Sequence, residues 1–138
     1  MGTIIDMRKL PSEETVFRLL IYCKETPELS NEAVSTNKYL ARELLSFKPF
    51  QRTMKLESIF FKFLQEHPDN VLIKDIDVLF NPEYKIDVMK MLLSVYKRKK
   101  FRLVWSGSYL NGCLTYSEEG RSDHKTYNIN EYDIMCVI

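Results

Sequence analysis

The chain has 138 residues, 45 % of them hydrophobic and 28 % charged, and a formal net charge of +1. That is the size and composition of one globular domain of the broad 50–250-residue class, not a disordered tail or a fibre. Four glycines leave little material for a nucleotide site built on a glycine-rich loop.

The elements follow in chain order. Thr3–Asp6 reads as a short strand or an unstructured start, and Pro11-Ser12-Glu13-Glu14 as a helix opening. Val16, Phe17, Leu19, Leu20 and Tyr22 are spaced more like a helix than an alternating strand, with Pro27 ending or redirecting the element. Residues 1–35 are thus set apart as an atypical helical or extended segment of a single domain. Asn31–Ser35 is a linker or turn. Leu40, Leu44 and Leu45 share one helical face, and Phe47-Lys48-Pro49-Phe50 breaks that helix. Leu56, Ile59, Phe60, Phe63 and Leu64 make Lys55–Glu66 the cleanest amphipathic helix, stopped by Pro68.

Val71-Leu72-Ile73 lacks polar alternation, as a strand buried on both faces does. Ile86, Met89, Leu92, Leu93 and Tyr96 form a helical stripe over 83–96, and Phe101–Trp105 is a second strand. Together these make a strand–helix–strand unit long enough for a right-handed parallel crossover. Cys113–Tyr116 is a short strand or loop, and Tyr132–Ile138 a final strand with Ile134, Cys136 and Ile138 on one side. The fold class is α/β, in two or three layers around a small, mostly parallel sheet.

Three groups of residues could carry chemistry. Asp75 and Asp77 follow a strand, where ligands of parallel sheets gather; they read as Mg²⁺ ligands, Asp77 the weak candidate, or as turn residues. Lys97, Arg98, Lys99 and Lys100, widened by Arg102, read as a solvated helix C-terminus or as contacts to nucleic-acid phosphates or an acidic partner. Seven basic residues against one acidic fall between Lys85 and Arg102, and five acidic against two basic between Tyr116 and Ile138. In the segment after Trp105, Ser106, Asp123 and His124 supply the residue types of a hydrolytic triad without its recognisable spacing, so a structural loop is the simpler reading. Trp105 fills core space beneath it, and His67 caps a helix. Phe60 and Phe61 cannot share one helix face, which hints at a contact with another element or a partner chain. Cys23, Cys113 and Cys136, odd in number and far apart, read as buried free thiols in a reducing compartment. No leader pattern and no bilayer-spanning run is present, and the expected location is the cytoplasm.

From about Asn37 onward the chain resembles the BrxF-type small P-loop proteins of type 3 bacteriophage exclusion, a bacterial antiviral defence. The resemblance rests on Leu40-Ala41-Arg42-Glu43-Leu44-Leu45, Val71-Leu72-Ile73 leading to Ile76-Asp77-Val78-Leu79-Phe80-Asn81-Pro82, Met91-Leu92, Val104-Trp105-Ser106-Gly107 and Leu114-Thr115-Tyr116. It implies a P-loop-like α/β region over 36–138 with a degenerate N-terminal part. The family's phosphate loop has no counterpart: Gly2 is the sole glycine before Gly107, and no Gly-Lys-Ser or Gly-Lys-Thr occurs. Lys74 occupies the position expected for the metal-side aspartate, and Asp77 matches the acidic residue that follows. Lys97 and Lys99 match basic positions near the family's nucleotide or a neighbouring subunit. The expectation is a degenerate relative that does not hydrolyse ATP and carries no cofactor, with Lys74 neutralising Asp75 or Asp77 in place of a cation. Its expected partners are itself or other defence proteins, with DNA as the alternative and no membrane. A metal-dependent nuclease or atypical ATPase using Asp75 and Asp77 ranks third.

Overall fold

The computed structural model describes residues 2–7 and 17–138. The helix opening expected at Pro11–Glu14, and Val16 after it, lie outside the described residues. Six strands form one parallel sheet: β1 (Thr3–Ile5), β2 (Leu19–Tyr22), β3 (Val34–Ser35), β4 (Val71–Lys74), β5 (Phe101–Val104) and β9 (Ile134–Val137), in the order β1-β9-β2-β5-β4-β3. Between β5 and β9 the chain builds a small antiparallel sheet from β6 (Ser108–Leu110), β7 (Cys113–Tyr116) and β8 (Lys125–Asn128). The protein is therefore α/β, with a mostly parallel main sheet and a small antiparallel one.

The main correction concerns Leu19–Tyr22. Its apolar run suggested a helix, but it is β2, between β9 and β5 and buried at all four positions. A strand buried on both faces is apolar throughout, and over four residues that pattern cannot be told from a helix by periodicity. The N-terminal segment thus supplies a central strand. Pro27 does not end an element; it opens α1 (Pro27–Glu32), whose N-cap Thr26 accepts a bond from the Leu29 N–H.

Alternation along the strands divides the core. Leu19, Ile21, Ile73, Phe101, Leu103, Ile134 and Cys136 face α2 (Asn37–Leu45), α3 (Pro49–Gln65) and α4 (Val88–Tyr96). Leu20, Tyr22, Leu72, Val104 and Val137 face the other way and pack with Leu29 of α1. β4, α4 and β5 form the expected crossover, with Val71, Leu72 and Ile73 in register with Phe101, Arg102 and Leu103. The helix starts later than the stripe suggested, because Pro82–Tyr84 is a 3₁₀ turn and Asp87 is the N-cap.

Arg102 also requires correction. It is buried on the α1 side of β5, paired with Glu32 of α1, and its Nε donates to Asn70 O at 2.9 Å. It belongs to the packing of α1 against the sheet, not to a surface patch. Phe60 is fully buried, whereas Phe61 on the next face is half-buried with the Arg98 guanidinium 3.8 Å from its ring centroid. Phe61 thus meets another element of its own chain.

The two phenylalanines make a direct test. Phe60→Ala should cost about 3–5 kcal/mol by urea denaturation, the range for emptying a packed aromatic site. Phe61→Ala should cost about 1 kcal/mol, since it removes one partly exposed ring contact.

Candidate functional site

The chain leaves β2 toward β3 at one edge, returns through β4 and β5, and then passes to β9 on the other side of β2. Outgoing connections diverge beside β2 and β5, the place where open α/β sheets form a crevice at their carboxyl ends. A cleft of about 340 Å³ lies there, walled by Cys23 and Glu25 after β2, Lys74 at the end of β4 with Asp75 and Asp77 after it, and Trp105, Ser106 and Gly107 after β5.

The wall after β4 is built by a network that sequence reading missed. Thr36, fully buried, donates its Oγ1 hydroxyl to Asp75 O at 2.8 Å and its N–H to Lys74 O at 3.0 Å. Asn37 Nδ2 donates to Asp77 Oδ2 at 3.0 Å, and its Oδ1 accepts the Val78 N–H at 3.0 Å. Tyr116 OH donates to Asp77 Oδ1 at 2.9 Å while its ring stacks on Phe80 at 3.9 Å, nearly parallel. Both oxygens of Asp77 are therefore committed to holding the small sheet and the start of α2 onto the loop. Asp75 adopts a left-handed backbone, φ 58°, and no hydrogen bond or ion pair holds its carboxylate among the described residues.

Lys74 does not neutralise Asp75 or Asp77 by pairing with either; its Nζ donates to Ser30 O of α1 at 3.3 Å. The cleft still contains three carboxylates, from Glu25, Asp75 and Asp77, against one ammonium. Exposed Lys24 adjoins it on the loop. No three His, Cys, Asp or Glu residues are grouped to hold a metal ion among the described residues. The hydrogen bond to Cys23 together with burial pushes the Cys136 thiol up, and the same bond pulls Cys23 down. All three cysteines are free, but only Cys136 is fully buried.

The triad residues are dispersed among separate bonds. Ser106 Oγ lies 3.4 Å from the Ile76 N–H, Asp123 accepts Ser117 Oγ at 2.6 Å, and His124 Nε2 lies 3.2 Å from Thr126 Oγ1. Trp105 is buried as expected and donates its indole N–H to Thr115 O at 3.0 Å. Gly107 has a steric reason: an added Cβ would stand 1.9 Å from Thr115 O, so only glycine lets β6 leave β5 this close to β7.

Lys97, Arg98, Lys99 and Lys100 follow α4 and precede β5. They stand at the amino end of the sheet, away from the cleft. Lys99 pairs with Asp69 at 2.8 Å, and Lys100 lies over the exposed Phe17 ring at 5.0 Å. No described helix is long and apolar enough to cross a membrane.

The fold and cleft define an α/β protein with a polar, acidic carboxyl-end crevice. Comparisons with protein families, curated proteins and solved structures return no match to this chain.

Burial and the bond to Asp77 push the Tyr116 hydroxyl above its ordinary value. Below tyrosine's usual value of about 10, folded and unfolded states are both protonated and the bond contributes in full. Above it the unfolded chain ionises first, so the contribution is lost as pH rises through the folded value. Tyr116→Phe should therefore flatten part of the alkaline fall in stability, measured by urea titrations from about pH 8 to about pH 11.

Proposed function

We propose that this chain is a non-catalytic component of a bacterial antiphage defence system, acting as an assembly module on a P-loop-like α/β fold without hydrolysing ATP. The observation that carries the reading is the connection between β2 and α1. It has the strand–loop–helix form that elsewhere wraps a phosphate in backbone N–H groups. Here the loop is Cys23-Lys24-Glu25-Thr26, without glycine, and its hydroxyl is spent capping α1. α1 itself spans six residues, and Glu25 at its entrance accepts the Ser30 hydroxyl.

Electrostatics support the same reading. A triphosphate in the cleft would meet Glu25, Asp75 and Asp77, with Lys74 already directed at a carbonyl of α1. Two like charges about 4 Å apart repel by about 4 kcal/mol at an effective dielectric of about 20. Phosphoryl transfer depends on cations and N–H donors around the phosphates, and this cleft offers mostly carboxylates. The engaged Asp77, both of whose oxygens accept hydrogen bonds, weighs against the nuclease and ATPase alternatives. The defence-system part of the proposal rests on the sequence resemblance to the BrxF-type proteins.

Titration of ATP with Mg²⁺ into the protein, followed by calorimetry, should give no binding tighter than about 1 mM. Micromolar affinity would overturn the reading and return Asp75 and Asp77 to an enzymatic role.

A further inference from the structure

We infer that the chain assembles head to tail with copies of itself, the basic amino edge of one sheet docking on the acidic carboxyl-end cleft of the next. The inference deepens the assembly reading above and rests on it. A parallel sheet puts every carboxyl end on one side and every amino end on the other, so the two surfaces lie at opposite ends of the molecule. Their charges are complementary. The cleft has three carboxylates against Lys74, and the Asp75 carboxylate has no bonded partner among the described residues. At the other end Asp69 and Asp133 are occupied by Lys99 and Arg18. Lys97 and Lys100 are exposed and make no ion pair among the described residues.

The amino edge also carries apolar surface. Lys100 lies over Phe17 at 5.0 Å and Tyr96 at 6.0 Å, and these rings border a groove with Leu93 and Lys97. A long cationic side chain backed by rings can enter a cleft of about 340 Å³ and place its head among carboxylates. Nucleic acid would satisfy the basic edge alone and would be repelled by the cleft; a second copy of this chain satisfies both ends. Because the two surfaces differ, the contact is heterologous and propagates into a ring or an open filament.

Light scattering on the intact chain tests the inference. At about 0.05 M salt the mass should rise with concentration above the 16.4 kDa monomer, and at about 1 M salt, where screening acts over about 3 Å, it should return to the monomer. Two variants separate the surfaces. Lys97→Glu with Lys100→Glu removes the edge; Glu25→Gln with Asp75→Asn removes cleft charge and keeps a residue that tolerates the left-handed backbone. Each variant alone should be monomeric, with an unchanged circular dichroism spectrum. Mixed together, they should form a 1:1 dimer and nothing larger, because one retains a working edge and the other a working cleft.

A wild-type monomer at every salt concentration would overturn head-to-tail assembly, while the ATP titration judges the non-hydrolysing reading separately. Two folded variants that fail to dimerise on mixing would also overturn it. Salt-sensitive binding of a single-stranded DNA oligonucleotide, lost in the edge variant while the wild type stays monomeric, would reassign the edge to nucleic acid.

Discussion

An all-parallel sheet must be covered on both faces, and that constraint shapes the rest of this molecule. Three helices cover one face generously. Among the described residues the other has α1, six residues long, with Leu29 as its one buried side chain. A helix that short has no stability of its own. It is held by side chains from the strands beneath: Arg102 of β5 pairs with Glu32, and Lys74 of β4 reaches Ser30 O. Removing Glu32 would take the carboxylate from a buried guanidinium. The two cations that a sequence reader assigns to a patch or a metal site are fasteners for α1.

This arrangement accounts for the shape of the crevice. A phosphate cradle needs a loop free to turn its N–H groups inward, usually with glycine at the sharpest points. Between β2 and α1 four residues suffice, and both ends of the connection are tied: Cys23 N donates to Val137 O, and Thr26 caps the helix. The lysine at the end of β4 and the missing glycines are therefore one structural fact. Lys74 secures α1 instead, through its bond to Ser30 O. The same economy appears at Asp77, whose carboxylate joins α2 and the small sheet through Asn37 and Tyr116.

Legibility in the sequence followed element length and locality. α3 could be read because seventeen residues give its apolar stripe several turns to repeat, and the β4–α4–β5 crossover because an amphipathic helix separates two apolar runs. β2 could not, since four consecutive buried residues have no period to detect. One local signal went unused: Asn111-Gly112, both with positive φ, is the two-residue turn that pairs β6 with β7. Asp75 and Asp77 line the crevice because the carboxyl end of a parallel strand fixes where such residues emerge. Their partners were invisible, since Asn37 and Tyr116 lie 40 and 39 residues from Asp77 in the chain. Arg102 was misplaced because a run of cations hides the change of phase between a helix terminus and a strand.

The charge asymmetry along the sequence has a physical origin in the same topology. Lys97–Lys100 close a helix whose C-terminal carbonyls favour cations, and the next strand starts immediately, which fixes those cations at the amino end of the sheet. Carboxylates collect at the other end because Glu25 and Asp77 accept side-chain hydrogen bonds there and Asp75 holds a left-handed backbone. Each placement has a local cause, yet the parallel sheet adds them in one direction. A molecule with a net charge of +1 thereby becomes strongly polar along its strands. Such polarity acts weakly on distant partners at physiological salt, where screening sets in within about 8 Å. It acts strongly at contact, where the two ends differ in sign and in shape, and that favours an asymmetric contact over a two-fold one, which would bring each end against its own kind.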